Sequence, residues 1–420
     1  MTKSSNKFNI FILCLLIIIT LTPKLSAMFP AYIILGLVFV WIINSLFRVN
    51  LCVQKESCIL ISFLLLFIVF LYKIIGISSA EWGNYCITFY FFSGFWIFLH
   101  TERYYKPYEK KKLAYIVLIV MFANVLTNIY MAMNIENFTA WSYVGASKIT
   151  EYVTQYNLGS TNFTTTALLF SGITISLFLF DKGKRRLLWL LFSLTAMIYL
   201  VLYAGRASNL ILLIVMIILF CIYRNDKIST IAPILIGIGL LFFIFFGDAL
   251  LDWMAEFIPS ERIAVRIKAI SFFLQGSSEG DLYMSRLEIV LMDFSTWTRS
   301  ISSFIFGIGD HRYLNGNLNE IYSIGISGHS AYFDFLPQYG LIGFSLLNLL
   351  FFSFSKKIEL INITSYKWKR YAKIIFLIVI LRSLIGSIFS SDVTTMLFIG
   401  LPCSAYLLFD DSGENECIVE

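Results

Sequence analysis

Charge is scarce in this sequence. Asp, Glu, Lys and Arg make up 14% of its 420 residues, against 58% hydrophobic ones, and the mean hydropathy is +0.79. Soluble globular domains carry about 25% charged residues, so that class is excluded and the chain reads as an integral membrane protein. The seven cysteines form no CxxC or Cys/His spacing, and none lies in the long polar segment of the second half. Neither a disulfide framework nor a metal site is encoded, and no cofactor is implied. Histidine occurs only three times. No internal repeat is present, which counts against transporters built from duplicated halves.

What fills the chain instead is apolar runs of the length a bilayer-crossing helix needs, about 20 residues. They cover 8–22, 28–47, 58–75, 83–100, 113–134, 161–180, 187–204, 208–223, 230–247, 337–354, 373–390 and 394–409. Their continuity, without strand-like alternation, excludes a β-barrel and predicts an all-α polytopic protein with about twelve membrane helices. Basic residues fall in alternate connections: Lys3 and Lys7, Arg48 and Lys55, the run 103–112, the run 182–186, Arg224 and Lys227, and the stretch 356–373. This positive-inside pattern puts both termini in the cytoplasm. It also accounts for the formal charge of +6, so nucleic acid is not an implied partner. The short connections on the opposite side carry only Lys24, Lys148 and Arg206. No small-residue cleavage site follows the first run, which is therefore read as the first membrane helix and not as a removed leader.

Three regions follow. Residues 1–247 hold nine membrane helices, 248–336 form an extracytoplasmic loop domain, and 337–420 hold three more helices and a cytoplasmic tail. The loop domain is partly helical. Leu250, Leu251, Met254, Phe257 and Ile258 repeat at helical spacing, as do Ile263, Ile267, Ile270 and Leu274. Ser285 followed by Glu288 fits a capping box at the start of SRLEIVLMDFSTW. The glycine-rich stretch from 307 to 328 reads as a mobile or ligand-shaped loop.

Polar groups that could act on a substrate gather on the extracytoplasmic side. Arg286 lies in the first turn of the capped helix, where N–H groups plus a guanidinium form a phosphate receptor, or where the arginine is simply solvated. Arg206, in YAGRASN, violates the charge bias of its side and either has a partner or snorkels. Arg382, in IVILRSLIGSIF, is placed near the middle of its run, where a charge is normally paired; Asp334 or a bound anion would serve. The stretch GHSAYFDFLPQYGLIG, 328–343, sets His329 beside Ser330, Tyr332 and Asp334 just before a helix whose first turn takes Pro337. His329 titrates near neutrality and can accept a proton. Glycines 340 and 343 mark a close helix contact. Arginines and a histidine on one side, under a folded loop, fit an anionic, membrane-embedded substrate such as a lipid pyrophosphate.

In the pieces YAGRASNLILL, SRLEIVLMDFSTW with FGIGDH, and GHSAYFDFLPQYGLIG, the chain resembles the O-antigen polymerase and ligase superfamily. The wording His-Ser-x-x-x-Asp with Tyr-Gly-Leu-Ile-Gly is closer to the polymerase branch, and the His-Asn variant of the ligase branch is absent. The paired Arg-rich loops of some polymerases are not matched, since 135–160 carries Lys148 but no arginine. The resemblance implies a GT-C-like bundle in the bacterial inner membrane and metal-independent glycosyl transfer between undecaprenyl-pyrophosphate-linked repeat units. It implies further that Arg206 and Arg286 hold the pyrophosphate, that His329 is essential, and that a chain-length regulator is a partner. A ligase acting on lipid A-core and a polysaccharide flippase are the alternatives.

Overall fold

A computed structural model describes residues 3–46, 57–78, 81–134, 156–159, 163–181, 183, 185–202, 207–223, 250–257, 264, 267–268, 293–310, 330–359, 361 and 366–408. Their regular structure is all-helical, with no strand among the described residues. The helices are α1 (Lys3–Leu21), α2 (Pro23–Met28), α3 (Ala31–Leu46), α4 (Ser57–Ile74), α5 (Trp82–Tyr104), α6 (Pro107–Asn134), α7 (Phe163–Phe180), α8 (Arg186–Leu202) and α9 (Ala207–Tyr223). After the short helices 250–257 and 293–297 come α10 (Ile301–Phe306), α11 (Phe335–Glu359), α12 (Tyr366–Ile385) and α13 (Ser391–Leu408). Eleven of the apolar runs coincide with these helices, and the run 230–247 lies outside the described residues. Four are long and apolar enough to cross a membrane: Pro107–Met131, Phe163–Phe180, Phe335–Ile358 and Ser391–Leu408. Shorter apolar helices cover Lys7–Leu21, Ala31–Leu46, Cys58–Ile74, Arg186–Val201 and Leu212–Tyr223.

The core forms around α13, 94% of whose apolar window is buried. It packs on α1, α5, α6 and α7. Phenylalanine fills the space: the Phe398 ring stands 5.4 and 4.5 Å from Phe91 and Phe95 of α5, and 5.1 Å from Phe354 of α11. Tilted and edge-to-face rings pack this way because the positive ring edge seeks the negative face. The approach of α5 is possible only because residue 94 is glycine; a Cβ there would fall 2.2 Å from the Phe398 ring. The aromatic richness is thus, in this region, a packing device.

Polar cross-links fix how the helix ends align. At one end, Lys110 of α6 donates to Glu102 Oε2 (3.0 Å) and to the Tyr406 hydroxyl (2.8 Å), tying the start of α6 to the ends of α5 and α13. Trp189 Nε1 of α8 donates to Asp181 Oδ2 after α7 (3.0 Å), and Arg370 of α12 donates to the Tyr223 carbonyl of α9 (3.3 Å). The described basic clusters therefore share this end. At the opposite end Thr395, near the start of α13, shares hydrogen bonds with Thr20 at the end of α1 (2.6 Å) and Tyr90 of α5 (2.8 Å).

Two sequence expectations change here. Lys73 belongs with the few basic residues of the opposite end: it occupies the last turn of α4, with Nζ 5.6 Å from the Trp82 and Tyr85 rings. Inside an apolar run it was indistinguishable from helix body. Arg382 is not near the middle of its helix but in the last turn of α12. The apolar run continues to 390, but the helix stops at Ile385 with Gly386 next. A cation in a last turn is favoured by the negative end of the helix dipole.

Candidate functional site

Three consecutive threonines open α7. Neighbouring side chains on a helix point about 100° apart, so Thr164, Thr165 and Thr166 fan toward three different helices. Thr164 Oγ1 accepts from Asn209 Nδ2 of α9 at 2.5 Å, Thr165 Oγ1 accepts from Arg382 Nε of α12 at 2.9 Å, and Thr166 Oγ1 donates to Asp392 Oδ2 of α13 at 2.7 Å. All six side chains belong to buried residues. One turn of backbone thus holds a guanidinium, a carboxyl group and a carboxamide in a single polar layer at the end of the bundle opposite the basic clusters.

Arg382, 1% exposed, reaches this layer past Gly386, where a Cβ would fall 1.6 Å from Nη1. The same helix end docks the segment that begins at Ser330. The last carbonyls of a helix have no partner within it; here the Ser383 carbonyl accepts from Tyr332 N (3.1 Å) and Ser330 Oγ (3.2 Å), and the Gly386 carbonyl accepts from Ala331 N (3.2 Å). Ser330 Oγ in turn accepts from Phe333 N at 3.1 Å, closing the turn. The chain next to His329 is therefore fixed to the helix end that carries Arg382.

Of the residues singled out from sequence, Arg382, Tyr332 and Asp334 come together at this end, while Arg206, Arg286 and His329 lie outside the described residues. The described neighbours of two of those do converge. Ser330 follows His329 directly, and Asn209, three positions after Arg206, joins the polar layer through Thr164. Arg382 Nε donates to Thr165 Oγ1. Asp334 is buried, and its carbonyl accepts from Gln338 N at 3.1 Å. The Tyr332 hydroxyl donates to Asn348 Oδ1 of α11, which fixes the ring against that helix. Asp392 went unnoticed in sequence because FSSDVTT sits between two apolar runs and reads as a turn. A carboxyl among hydroxyl residues at the start of an apolar helix was the available signal. It stands just before a π-helical turn, Met396–Gly400, a deviation that often accompanies functional sites.

The glycine-rich stretch begins otherwise than expected. Residues 307–310 are pinned: Ile308 N and Gly309 N donate to the carbonyls of Pro337 (2.8 Å) and Gln338 (2.9 Å), and Asp310 N donates to Ser78 Oγ (2.7 Å). The carbonyls are available because α11 breaks at Gly340, with φ 63° and ψ −167°. A Cβ at 340 would fall 2.3 Å from the Ile305 carbonyl oxygen of α10. The close helix contact foreseen for this glycine is thus made with a short loop helix through a kink. At the far flank, 156–159 is tied to α6 by Asn157 Nδ2 donating to Asn124 Oδ1 (3.0 Å) and Gly159 N donating to Asn128 Oδ1 (2.6 Å). Gly340→Ala is expected to lower thermal stability, since a side chain in that backbone region alone costs about 1–3 kcal/mol. Gly83→Ala, whose Cβ meets nothing within 4 Å, is the control; equal melting temperatures for the two variants would refute the kink's role.

No protein-family model and no curated protein matches this chain.

Proposed function

We propose that the chain is a polymerase of surface polysaccharide repeat units, an inner-membrane glycosyltransferase of about twelve spans with a GT-C-like bundle and both termini in the cytoplasm. The observation that carries this reading is the docking of the segment adjoining His329 onto the helix end that brings Arg382 into a buried polar layer. Phosphate chemistry at a membrane surface needs fixed cations aimed at the leaving group. Arg382, held in the polar layer by Thr165, is proposed to supply one such charge, and Arg206 and Arg286 are assigned to the same pyrophosphate by the family resemblance. The end of the bundle opposite the basic clusters is then extracytoplasmic.

In the proposed reaction a sugar hydroxyl of one undecaprenyl-pyrophosphate-linked repeat unit attacks the anomeric carbon of the growing chain. The new glycosidic C–O bond forms, the bond from the anomeric carbon to the pyrophosphate oxygen breaks, and undecaprenyl pyrophosphate leaves with the bonding pair. His329 takes the proton of the attacking hydroxyl or donates to the phosphate. Tyr332 and Asp334 shape the binding surface beside it, and a chain-length regulator is the proposed protein partner.

The test is the glycan ladder of a deletion strain complemented with wild type or His329→Ala. A single repeat unit on the lipid core after deletion, a ladder restored by wild type and no ladder with well-expressed mutant is the expected result. Loss of every capped species, with polymer stranded on the lipid carrier, would mean a ligase; an unchanged ladder would overturn the enzyme reading in favour of a transporter.

A further inference from the structure

Buried polar atoms in proteins are nearly always hydrogen-bonded, so those that are not need a reason. Two carboxamides at the polar end of the bundle stand out. Gln338, 3% exposed, sits in the first turn of α11 with its backbone engaged on both sides: its N–H donates to the Asp334 carbonyl and its carbonyl accepts from Gly309 N. Its side-chain Nε2 has no acceptor among the described residues. Asn209, also 3% exposed, spends Nδ2 on Thr164, and its Oδ1 receives no donor among the described residues. One offers an open donor, the other an open acceptor.

We infer that Gln338, with Asn209, recognises the sugar hydroxyls of the lipid-linked substrate, whereas the arginines hold its pyrophosphate. The assignment to sugar depends on the polymerase reading. It follows from the chemistry of the groups: a carboxamide carries no net charge to neutralise a phosphate, while its donor and acceptor together complement a hydroxyl, which both donates and accepts. Leaving such a group buried and unfilled costs about 1–3 kcal/mol in the empty protein. The same feature gives discrimination, because a ligand lacking the matching hydroxyl leaves the site's polar atom unpaired. The carboxamides are thus specificity residues, and their loss should be felt on the glycan and not on the carrier.

Gln338→Met keeps the length of the side chain and removes the orphan amide. If Gln338 were structural, the variant would melt lower. On the present reading it melts at or above wild type, because an unpaired buried donor is gone. Binding is measured on purified full-length protein in nanodiscs with two probes: undecaprenyl pyrophosphate, and the undecaprenyl-pyrophosphate-linked repeat unit extracted from cells lacking the gene. Gln338→Met and Asn209→Leu should weaken the repeat-unit lipid about tenfold or more, the scale of one lost hydrogen bond to a buried group, and leave undecaprenyl pyrophosphate unchanged. Wild-type affinity of both variants for both probes would overturn the inference while leaving the polymerase reading intact. Equal weakening toward both probes would overturn it too, by placing the amides on the carrier. Failure of wild-type protein to bind either probe would overturn the polymerase reading and this inference with it.

Discussion

On the polymerase reading, Arg382→Lys is expected to abolish polymer while leaving the protein folded and at wild-type level in the membrane. The substitution conserves charge and changes everything else that the site uses. Arg382 Nε donates to Thr165 Oγ1 at 2.9 Å, which fixes the plane of the guanidinium in the polar layer. Lysine has no donor at that position, and its ammonium is a compact, strongly hydrated charge on a flexible stem. Removing one preorganised donor from a developing anion lowers turnover by about 100- to 1,000-fold, enough to empty a glycan ladder beyond single repeats. Gly386→Ala should produce the same phenotype without touching the arginine, because its Cβ would lie 1.6 Å from Nη1 and drive the guanidinium from its slot. If both act through one geometry, the double variant Arg382→Ala/Gly386→Ala is no worse than Arg382→Ala alone. A normal ladder from Gly386→Ala, or additive losses in the double variant, would remove Arg382 from the site.

Which parts of this architecture were legible in the chain depends on whether the information is local. Apolar runs locate helices because burying a helix in lipid or in a helical core requires the whole segment to be apolar, and so eleven of the runs lie on helices. Helix ends are another matter. The apolar character of 373–390 runs past the end of α12, since residues 387–389 stay half-buried or buried as coil. That single overrun placed Arg382 at mid-helix. The segment 330–334 was legible as a polar cluster but not its docking, which depends on the free carbonyls of a helix about 50 positions away. The triple threonine of α7 drew no attention because Thr is common in membrane helices; its meaning lies in the three partners, each more than 40 positions distant. Tertiary hydrogen bonds of this kind leave no periodic trace.

Asp392 offers the sharpest separation between holding the site together and filling space. Its Oδ2 accepts from Thr166 at 2.7 Å and joins α7 to the start of α13, the helix on which the core is assembled. Asp392→Ala would strand the Thr166 hydroxyl in a buried layer and loosen the first turn of α13, where an acidic group also favours the positive end of the helix dipole. The expected loss is about 1–3 kcal/mol from the hydrogen bond, together with loss of polymer, because Thr165 positions Arg382 from the adjoining residue. Thr166→Val removes the same bond from the other side. Measured as a double-mutant cycle in thermal unfolding of the solubilised protein, the two substitutions should fall short of additivity, the pair costing little more than the worse single change. Strict additivity would mean that the two groups do not depend on each other, and the polar layer would then have to be held by Arg382 and Asn209 alone. Asp392→Asn gives the complementary reading: it keeps an acceptor for Thr166 and so should retain most of the stability. Any loss of polymer in that variant then reports the carboxyl group itself, as distinct from the helix position it secures.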